Sequence, residues 1–247
     1  MDETTSGLQQ QVLALGATLV GFADMEGVLE GEFAHWPRAI SIALAFPDEV
    51  IRRVAKGPTP EYYHAYNEFN ERLDEIAAQT ATLIHTLGYR AEPFPATVGG
   101  QDLDVRNLRA AFQHKTAAAR AGLGWVGKSA LFISYEHGPR VRLVTVFTDM
   151  PLEVAAPVTV SECGDCIVCV RACPGGAVQG KEWWPERPRE ELFDAHACFV
   201  EASRQLSERV GVNYPVCGIC IAVCPEGRPG GQGSHPQPRN TAKRRTQ

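Results

Sequence analysis

Apolar positions recur at helical spacing in two segments of the N-terminal half of the chain. The first segment predicts a helix over residues 5–15 that stops at Gly16. The second begins after Pro60 and predicts a long helix over residues 61–87, ended by Gly88. The apolar positions are Leu8, Val12 and Leu15 in the first helix, and Tyr62, Tyr66, Phe69, Leu73, Ile76, Thr80, Leu83 and Leu87 in the second.

Continuous apolar runs predict strands between and after these helices. Residues 17–23 (ATLVGFA) and 39–46 (AISIALAF) predict two buried strands, and residues 89–94 an extended segment. Two β-rich segments, 131–134 and 141–148, flank the turn sequence Glu-His-Gly-Pro, which predicts that they pair as a hairpin. A short helix is expected over the alanine-rich stretch that precedes them, residues 117–123.

Alternating helices and strands over residues 1–157 predict an α/β or α+β domain, with residues 151–157 as a linker. A chain of 247 residues can hold such a domain and a smaller one, which we place at residues 158–228. The remaining residues, 229–247, are rich in Gly, Pro and polar side chains and predict a disordered tail.

Charge and hydropathy exclude some classes of function. The formal net charge of −5 disfavours broad nucleic-acid binding, which depends on neutralising phosphates. No apolar stretch is long enough to span a membrane, and the polar, acidic first residues are unlike a secretory signal. The composition therefore predicts a cytoplasmic protein without a membrane partner.

All eight cysteines lie in the last third of the chain. The first four form C-x2-C-x2-C-x3-C before Pro174, and the last three form C-x2-C-x3-C before Pro225. Eight thiolates suit two [4Fe–4S] clusters, and the first run is the bacterial two-cluster ferredoxin run, whose fourth cysteine binds the other cluster. The predicted ligands are Cys163, Cys166, Cys169 and Cys224 for one cluster, and Cys173, Cys198, Cys217 and Cys220 for the other.

Disulfides and zinc are the competing interpretations of these cysteines. Disulfides require an oxidising compartment, which the start of the chain does not indicate. Zinc ribbons use separated C-x2-C pairs and not a triplet that ends in Cys-Pro. Iron–sulfur binding is therefore the favoured interpretation. One departure from a symmetric ferredoxin is that Cys198 stands alone between the two runs.

Three motifs occur in a particular order along the chain. RAGLGWVGK (residues 120–128) is followed by GPRVRLVTVFTDMPL (138–152) and then by the first cysteine run. This order resembles epoxyqueuosine reductases and corrinoid-dependent reductive dehalogenases. The phrases Tyr62-Tyr63-His64 and Leu87-Gly88-Tyr89-Arg90 are similar to the reductases as well.

The resemblance implies a cobalamin or other corrinoid held between a nitroreductase-like α/β domain and a two-cluster ferredoxin-like domain. It further implies that the cysteine set containing Cys198 holds the cluster nearer the corrinoid, and that the RAGLGWVGK loop faces the cofactor. Glycine spacing alone equally allows a tight turn with the tryptophan in the core. The cofactor-binding residues expected from the resemblance are Gly122, Gly124, Trp125, Gly127, Lys128 and Arg140.

The chain departs from the reductase pattern at the catalytic aspartate, which those enzymes carry upstream of AGLGW. Ungapped counting places Leu108 there, and alignment after Arg90 places Pro95 or Ala96. His114 stands nearby and could donate a proton or bind a ligand, because histidine titrates near neutrality. The alternative is a hydrogen-bonded histidine at a helix start.

Two functions remain open on these grounds. The first is a corrinoid-dependent reductase of a small or nucleoside-type substrate, supplied with electrons by a donor such as ferredoxin or flavodoxin. The second is an electron-transfer protein that reduces the corrinoid of a partner protein. A tRNA substrate is disfavoured by the acidic balance and by the absence of the helical repeat domain found in longer relatives.

Overall fold

The computed structural model describes residues 1–99 and 103–227. The described part is mixed α/β and contains a four-stranded antiparallel sheet in the order β1-β2-β8-β3. The strands are β1 (Leu19–Asp24), β2 (Arg38–Ala45), β3 (Ala91–Phe94), β4 (Leu103–Asp104), β5 (Arg109–Ala110), β6 (Gly124–Val126), β7 (Phe132–Ser134) and β8 (Val141–Thr148). The helices are α1 (Glu3–Ala14), α2 (Asp48–Arg53), α3 (Pro60–Thr86), α4 (His114–Arg120), α5 (Val168–Ala172), α6 (Arg189–Leu192), α7 (Ala195–Val210) and α8 (Ile219–Val223).

Helices α1 and α3 cover one face of this sheet, as their periodicity predicts. Asp2 caps α1 by accepting a hydrogen bond from the Thr5 amide at 2.7 Å, and Thr59 caps α3 in the same way. Their apolar faces bury against strands β1, β2 and β8 in one core. Leu87 is 53% exposed, so the buried face of α3 ends before the residue that the sequence pattern assigned to it.

The predicted hairpin between residues 131–134 and 141–148 is wrong. Strand β7 pairs with β6, whereas β8 pairs with β2 and β3. The reason is burial on both faces of β8: Val144 and Val146 pack toward α3, and Phe147 packs into a second core on the opposite face. Such a central strand requires a partner along each edge, and β2 and β3 are these partners.

Helix α4 covers the opposite face of the sheet. It begins at His114, three residues before the predicted start, and its alanines pack closely against the strands. The short side chains let the helix approach the sheet, so the residues at its N-terminus are carried to the edge of the domain, beside the cysteine-rich segment.

The cysteine-rich segment is built from loops and from helices α5 to α8. It packs on the first domain through an apolar cluster in which Ile51, Val54 and Tyr62 contact Leu206 and Val216. A Cβ on Gly218 would lie 2.7 Å from the Tyr62 ring, so this contact is close. Within the described ranges, no helix combines the length and hydropathy needed to cross a membrane. The predicted tail, 229–247, lies outside the described residues.

Candidate functional site

The eight cysteines lie on loops and helix ends of the second segment, all half-buried and none in a disulfide. The first C-x2-C forms a turn in which the Cys166 amide donates to the Cys163 carbonyl at 3.1 Å. Gly164 occupies the left-handed region inside this turn, at φ +50°. Cys173 and Cys224 each end a short helix in extended conformation before a proline.

The sulfurs gather in two regions. A small cavity is lined by Cys163, Cys166, Cys169 and Cys224, and a larger one by Cys173, Cys198 and Cys217. Cys220 borders both cavities. The assignment of ligands to individual clusters stays a prediction, but the two regions follow the division that the spacing predicts.

Burial and the neighbouring sulfurs raise the pKa of Cys169 and of Cys198, which favours their protonated form. Burial, followed by the neighbouring Cys163 and Cys166, raises the pKa of Cys169 to about 11. Burial, followed by Cys173 and Cys217, raises the pKa of Cys198 to about 12. Clusters bind thiolates, so assembly at either region must release protons.

Among the described residues, no three His, Cys, Asp or Glu side chains converge on one metal-sized point. A cubane separates its four thiolates because each binds a different iron, whereas tetrahedral zinc draws its sulfurs to about 2.3 Å from one centre.

The larger cavity, about 470 Å³, lies between the two segments of the chain. Its floor is the second cysteine region, and its walls come from α3, α4, β7 and β8. No Asp or Glu lines it among the residues that the structure describes. The polar side chains that line it, apart from cysteine, are Tyr62, Tyr66, Gln113, His114, Lys115 and Arg142.

His114 is held by the protein on both ring nitrogens. Nε2 lies 3.0 Å from the Pro95 carbonyl, which can only accept, and Nδ1 lies 2.9 Å from the Thr145 hydroxyl. The Pro95 carbonyl requires a proton on Nε2, whereas the Thr145 hydroxyl can either donate to Nδ1 or accept from it. Burial, followed by the Arg142 charge, lowers the pKa of His114 to about 4. A pKa this low favours the neutral ring near pH 7, and the contacts favour a positioning role; the catalytic role of His114 stays a prediction.

Lys115, beside it, is the titratable cation of the cavity. Its Nζ donates to the Ala130 carbonyl at 2.9 Å. Burial, followed by the charges of Arg189 and Arg109, lowers its pKa to about 8. Lys115 therefore keeps its proton at neutral pH but gives it up more readily than a solvated lysine.

Arg142 is fixed against α3 and is absent from the predicted site. It donates to the Asn70 side-chain oxygen at 2.6 Å and to the Thr97 hydroxyl at 2.9 Å, and its guanidinium lies 4.3 Å from the centre of the Tyr66 ring. The second arginine of GPRVR was a signal in the sequence that could have found it.

The glycine-rich loop does not line the large cavity, and its role in binding a cofactor stays a prediction. Trp125 is 1% exposed and belongs to the core. A Cβ on Gly124 would lie 2.0 Å from the Ile133 carbonyl oxygen, so this glycine permits the pairing of β6 with β7. Gly122 packs against Ala155 and Ala156, and Gly127 against the Ile133 side chain.

Lys128 and Arg140, also predicted to bind the cofactor, contact the first cysteine region instead. Lys128 Nζ donates to the Gly164 carbonyl and lies 3.1 Å from a Glu182 carboxylate oxygen. Arg140 donates to the carbonyls of Cys224 and Glu226. Neither cation lines the large cavity.

The positions aligned with the missing aspartate lie in different places. Ala96 lines the large cavity, and the Pro95 carbonyl holds His114 at its edge. Leu108 does not line this cavity. The gapped alignment therefore places an alanine where a proton-donating side chain would reach the cavity.

Comparisons with known proteins match this architecture. Residues 162–227 match the family model described as a 4Fe-4S double cluster binding domain. An epoxyqueuosine reductase of Listeria monocytogenes is 44% identical over 191 residues, covering 76% of this chain and 48% of the relative. The chain is therefore similar in sequence to epoxyqueuosine reductases. It spans about half the length of the curated relatives it matches.

Solved structures show the same fold at lower identity. An epoxyqueuosine reductase from Bacillus subtilis superposes with a TM-score of 0.58 at 18% identity, covering 95% of this chain and 68% of that one. A reductive dehalogenase, described in connection with B12-dependent dehalogenation, superposes with a TM-score of 0.68 at 20% identity, covering 90% of this chain and 31% of that one. The fold is therefore shared with both kinds of reductase.

Proposed function

We propose that the chain is an iron–sulfur oxidoreductase that passes electrons through two [4Fe–4S] clusters to a corrinoid, which reduces a small or nucleoside-type substrate. One observation carries the proposal: the second cysteine region forms the floor of a cavity whose walls belong to the first domain. An electron that reaches a cluster there would lie beside whatever occupies the cavity.

The first region would receive electrons, and the second would deliver them. Cys220 borders both cavities, so the two clusters would lie close to each other. The donor would be a small redox protein such as ferredoxin or flavodoxin. The ligand sets are those given by the spacing, with Cys173 and Cys224 crossing between the two runs.

The residues of the large cavity suit a corrinoid. Its volume of about 470 Å³ would hold the second cluster and part of the macrocycle, and the rest of the corrinoid would extend beyond it. Apolar walls from Leu131, Phe132 and Leu143 would contact the macrocycle, and Gln113 and Lys115 would bind its amide groups. When bound, a corrinoid supplies a cobalt that can be reduced to a strong nucleophile. The nitroreductase-like character of the first domain belongs to the same proposal.

Reduction of a substrate also consumes protons, and Lys115 is the residue best suited to hold one. Its Nζ carries a proton at neutral pH and lies at the cavity wall. His114 would act differently: its neutral ring ties the N-terminus of α4 to β8 and to the Pro95 carbonyl. It would thereby orient the helix that presents Lys115.

The net charge of the chain bears on the class of substrate. One solved structure contains an epoxyqueuosine reductase together with an epoxyqueuosine-modified tRNA stem loop. This chain carries a net charge of −5, which weakens attraction to a polyanion. A small or nucleoside-type substrate is therefore preferred over tRNA for the described part of the molecule.

The alternative is an electron-transfer protein that reduces the corrinoid of a partner protein. Cobalamin titrated into anaerobically reconstituted protein separates the two. The proposal predicts binding at micromolar cobalamin with a shifted visible spectrum. Leu143→Trp, which narrows the cavity, should abolish the shift and keep the iron. No shift with the unmodified protein would remove the corrinoid proposal and favour the alternative.

A further inference from the structure

Two buried cations of the first domain reach the loops of the first cysteine region. They are the lysine of RAGLGWVGK and the first arginine of GPRVR, and both lie more than nine-tenths buried. Each belongs to a motif that looks like a cofactor-binding loop, but neither lines the large cavity, and Lys128 borders the small one.

Lys128 binds the turn between the first two cysteines. Its Nζ donates to the carbonyl of Gly164, inside the Cys163–Cys166 turn, and forms an ion pair with Glu182 at 3.1 Å. Its side chain is 7% exposed. It also borders the small cavity, so its charge would lie close to any group bound there.

Arg140 binds the other end of the same cysteine set. It donates to the Cys224 carbonyl at 3.1 Å and to the Glu226 carbonyl at 2.5 Å. The backbone of the turn before β8 also lies close to the backbone at Glu226: a Cβ added to Gly138 would lie 2.1 Å from the Glu226 carbonyl oxygen. Asp48 offsets part of the Arg140 charge at 3.7 Å.

We propose that Lys128 and Arg140 are positioning residues that hold the ligand loops of the first cluster and raise its reduction potential. Reduction of a [4Fe–4S]²⁺ core takes one electron from the donor, breaks no bond and adds one negative charge. Buried cations stabilise the reduced form because a low dielectric screens them little. Carboxylates lie beside both regions: Glu226 acts on Cys224 in the first, where Arg140 offsets it, and Asp194 and Glu201 act on the second, where Arg209 offsets them in part.

This inference rests on the clusters of the proposed function, but not on the corrinoid. The test is an anaerobic redox titration, followed by electron paramagnetic resonance, of protein loaded with both clusters. Cys166→Ala protein, expected to keep the second cluster, identifies the signal that belongs to it. Lys128→Met should shift the other signal to lower potential and leave the second in place.

Glu182→Gln gives a prediction of opposite sign, which protects the test against general loss of structure. It removes the carboxylate that offsets Lys128 and should raise the potential of the first cluster. Arg140→Lys keeps its charge and should preserve more of the potential than Arg140→Met. Arg171→Met is the matched control, because this cation lies in the cluster module but is solvent-exposed and screened.

The outcomes separate the inference from the function. Opposite shifts of one signal in Lys128→Met and Glu182→Gln support it, as does loss of about half of the iron when either cation is removed. Unchanged potentials and unchanged iron in both Lys128→Met and Arg140→Met overturn it. Failure of the unmodified protein to bind any cluster would instead sink the proposed function.

Discussion

A methyl group added at Gly138 tests whether the turn before β8 supports the segment that carries Cys224, a predicted ligand of the first cluster. Gly138 lies at φ +56°, and a Cβ there would sit 2.1 Å from the backbone oxygen of Glu226, two residues after Cys224. Gly31 is a matched control in the first domain, since it has φ +60° and nothing within 4 Å of its added Cβ. Both alanine variants carry the same backbone strain, about 1–2 kcal/mol.

Only Gly138→Ala must also separate two backbones. Ordinary contact begins near 3.4 Å, so the Glu226 segment has to move by about 1 Å, at a further cost of roughly 1–3 kcal/mol typical of overpacking. That movement displaces Cys224. We expect Gly138→Ala to unfold at a temperature lower than Gly31→Ala by about 2–4 °C per kcal/mol. It should retain about four of eight irons, the content of one cluster.

Iron per chain and the thermal midpoint, measured on anaerobically reconstituted protein, are the assays. Equal iron and equal midpoints in the two variants would refute the claim that the turn before β8 supports the first cluster. Loss of all iron from Gly138→Ala would show that the two clusters do not assemble independently.

Three further predictions follow from single side chains. Cys166→Ala should lose about half of the iron by elemental analysis, because only one cubane loses a ligand; loss of all the iron would contradict separate ligand sets. His114→Gln should reduce the loss of folding stability that the unmodified protein shows as the pH falls below 6.5. The pKa of His114 is about 4 in the folded protein and about 6.5 in the unfolded chain. Between these pH values the unfolded chain binds one proton more than the folded protein. The free energy of unfolding therefore falls by at most about 3 kcal/mol as the pH drops from 6.5 to 4. The thermal midpoint is measured from pH 6.5 to pH 4 for this variant and for the control His64→Gln, in which the replaced side chain is 85% exposed. Equal slopes of the midpoint against pH in the two variants would refute the lowered pKa of His114. Lys115→Met should slow substrate reduction, relative to the unmodified protein, more at pH 7 than at pH 9, because Lys115 loses its proton near pH 8. If the ratio of the variant's rate to that of the unmodified protein did not change with pH, a proton held on Nζ would be contradicted.

Local patterns predicted individual elements. The periodicity of α1 and α3 marks one buried face on each helix, and the continuous apolar runs of β1 and β2 mark strands that are buried on both faces. The division of the cysteines between two clusters comes from their spacing and stays a prediction. These features depend on short stretches of chain.

Contacts between distant segments were not accessible in the same way. The partners of β8 could not be read from its composition, since a strand buried on both faces has no preferred edge in sequence. The Lys128–Gly164 contact spans 36 residues and the Arg140–Glu226 contact spans 86. Glycines around Trp125 suggested an approach to a ligand, but Gly124 and Gly127 approach β7 and Gly122 approaches the segment at 155–156, and spacing cannot distinguish a ligand from such neighbours.

The most direct test of the account is whether the second cluster delivers electrons to cobalt. Anaerobic protein with bound cobalamin would be given a donor that does not reduce free cobalamin, and the visible spectrum of the corrinoid followed over time. We predict cobalt reduction by the unmodified protein, and none by a Cys198→Ala variant that keeps its first cluster. Equal reduction by both proteins, or by neither, would contradict the central claim.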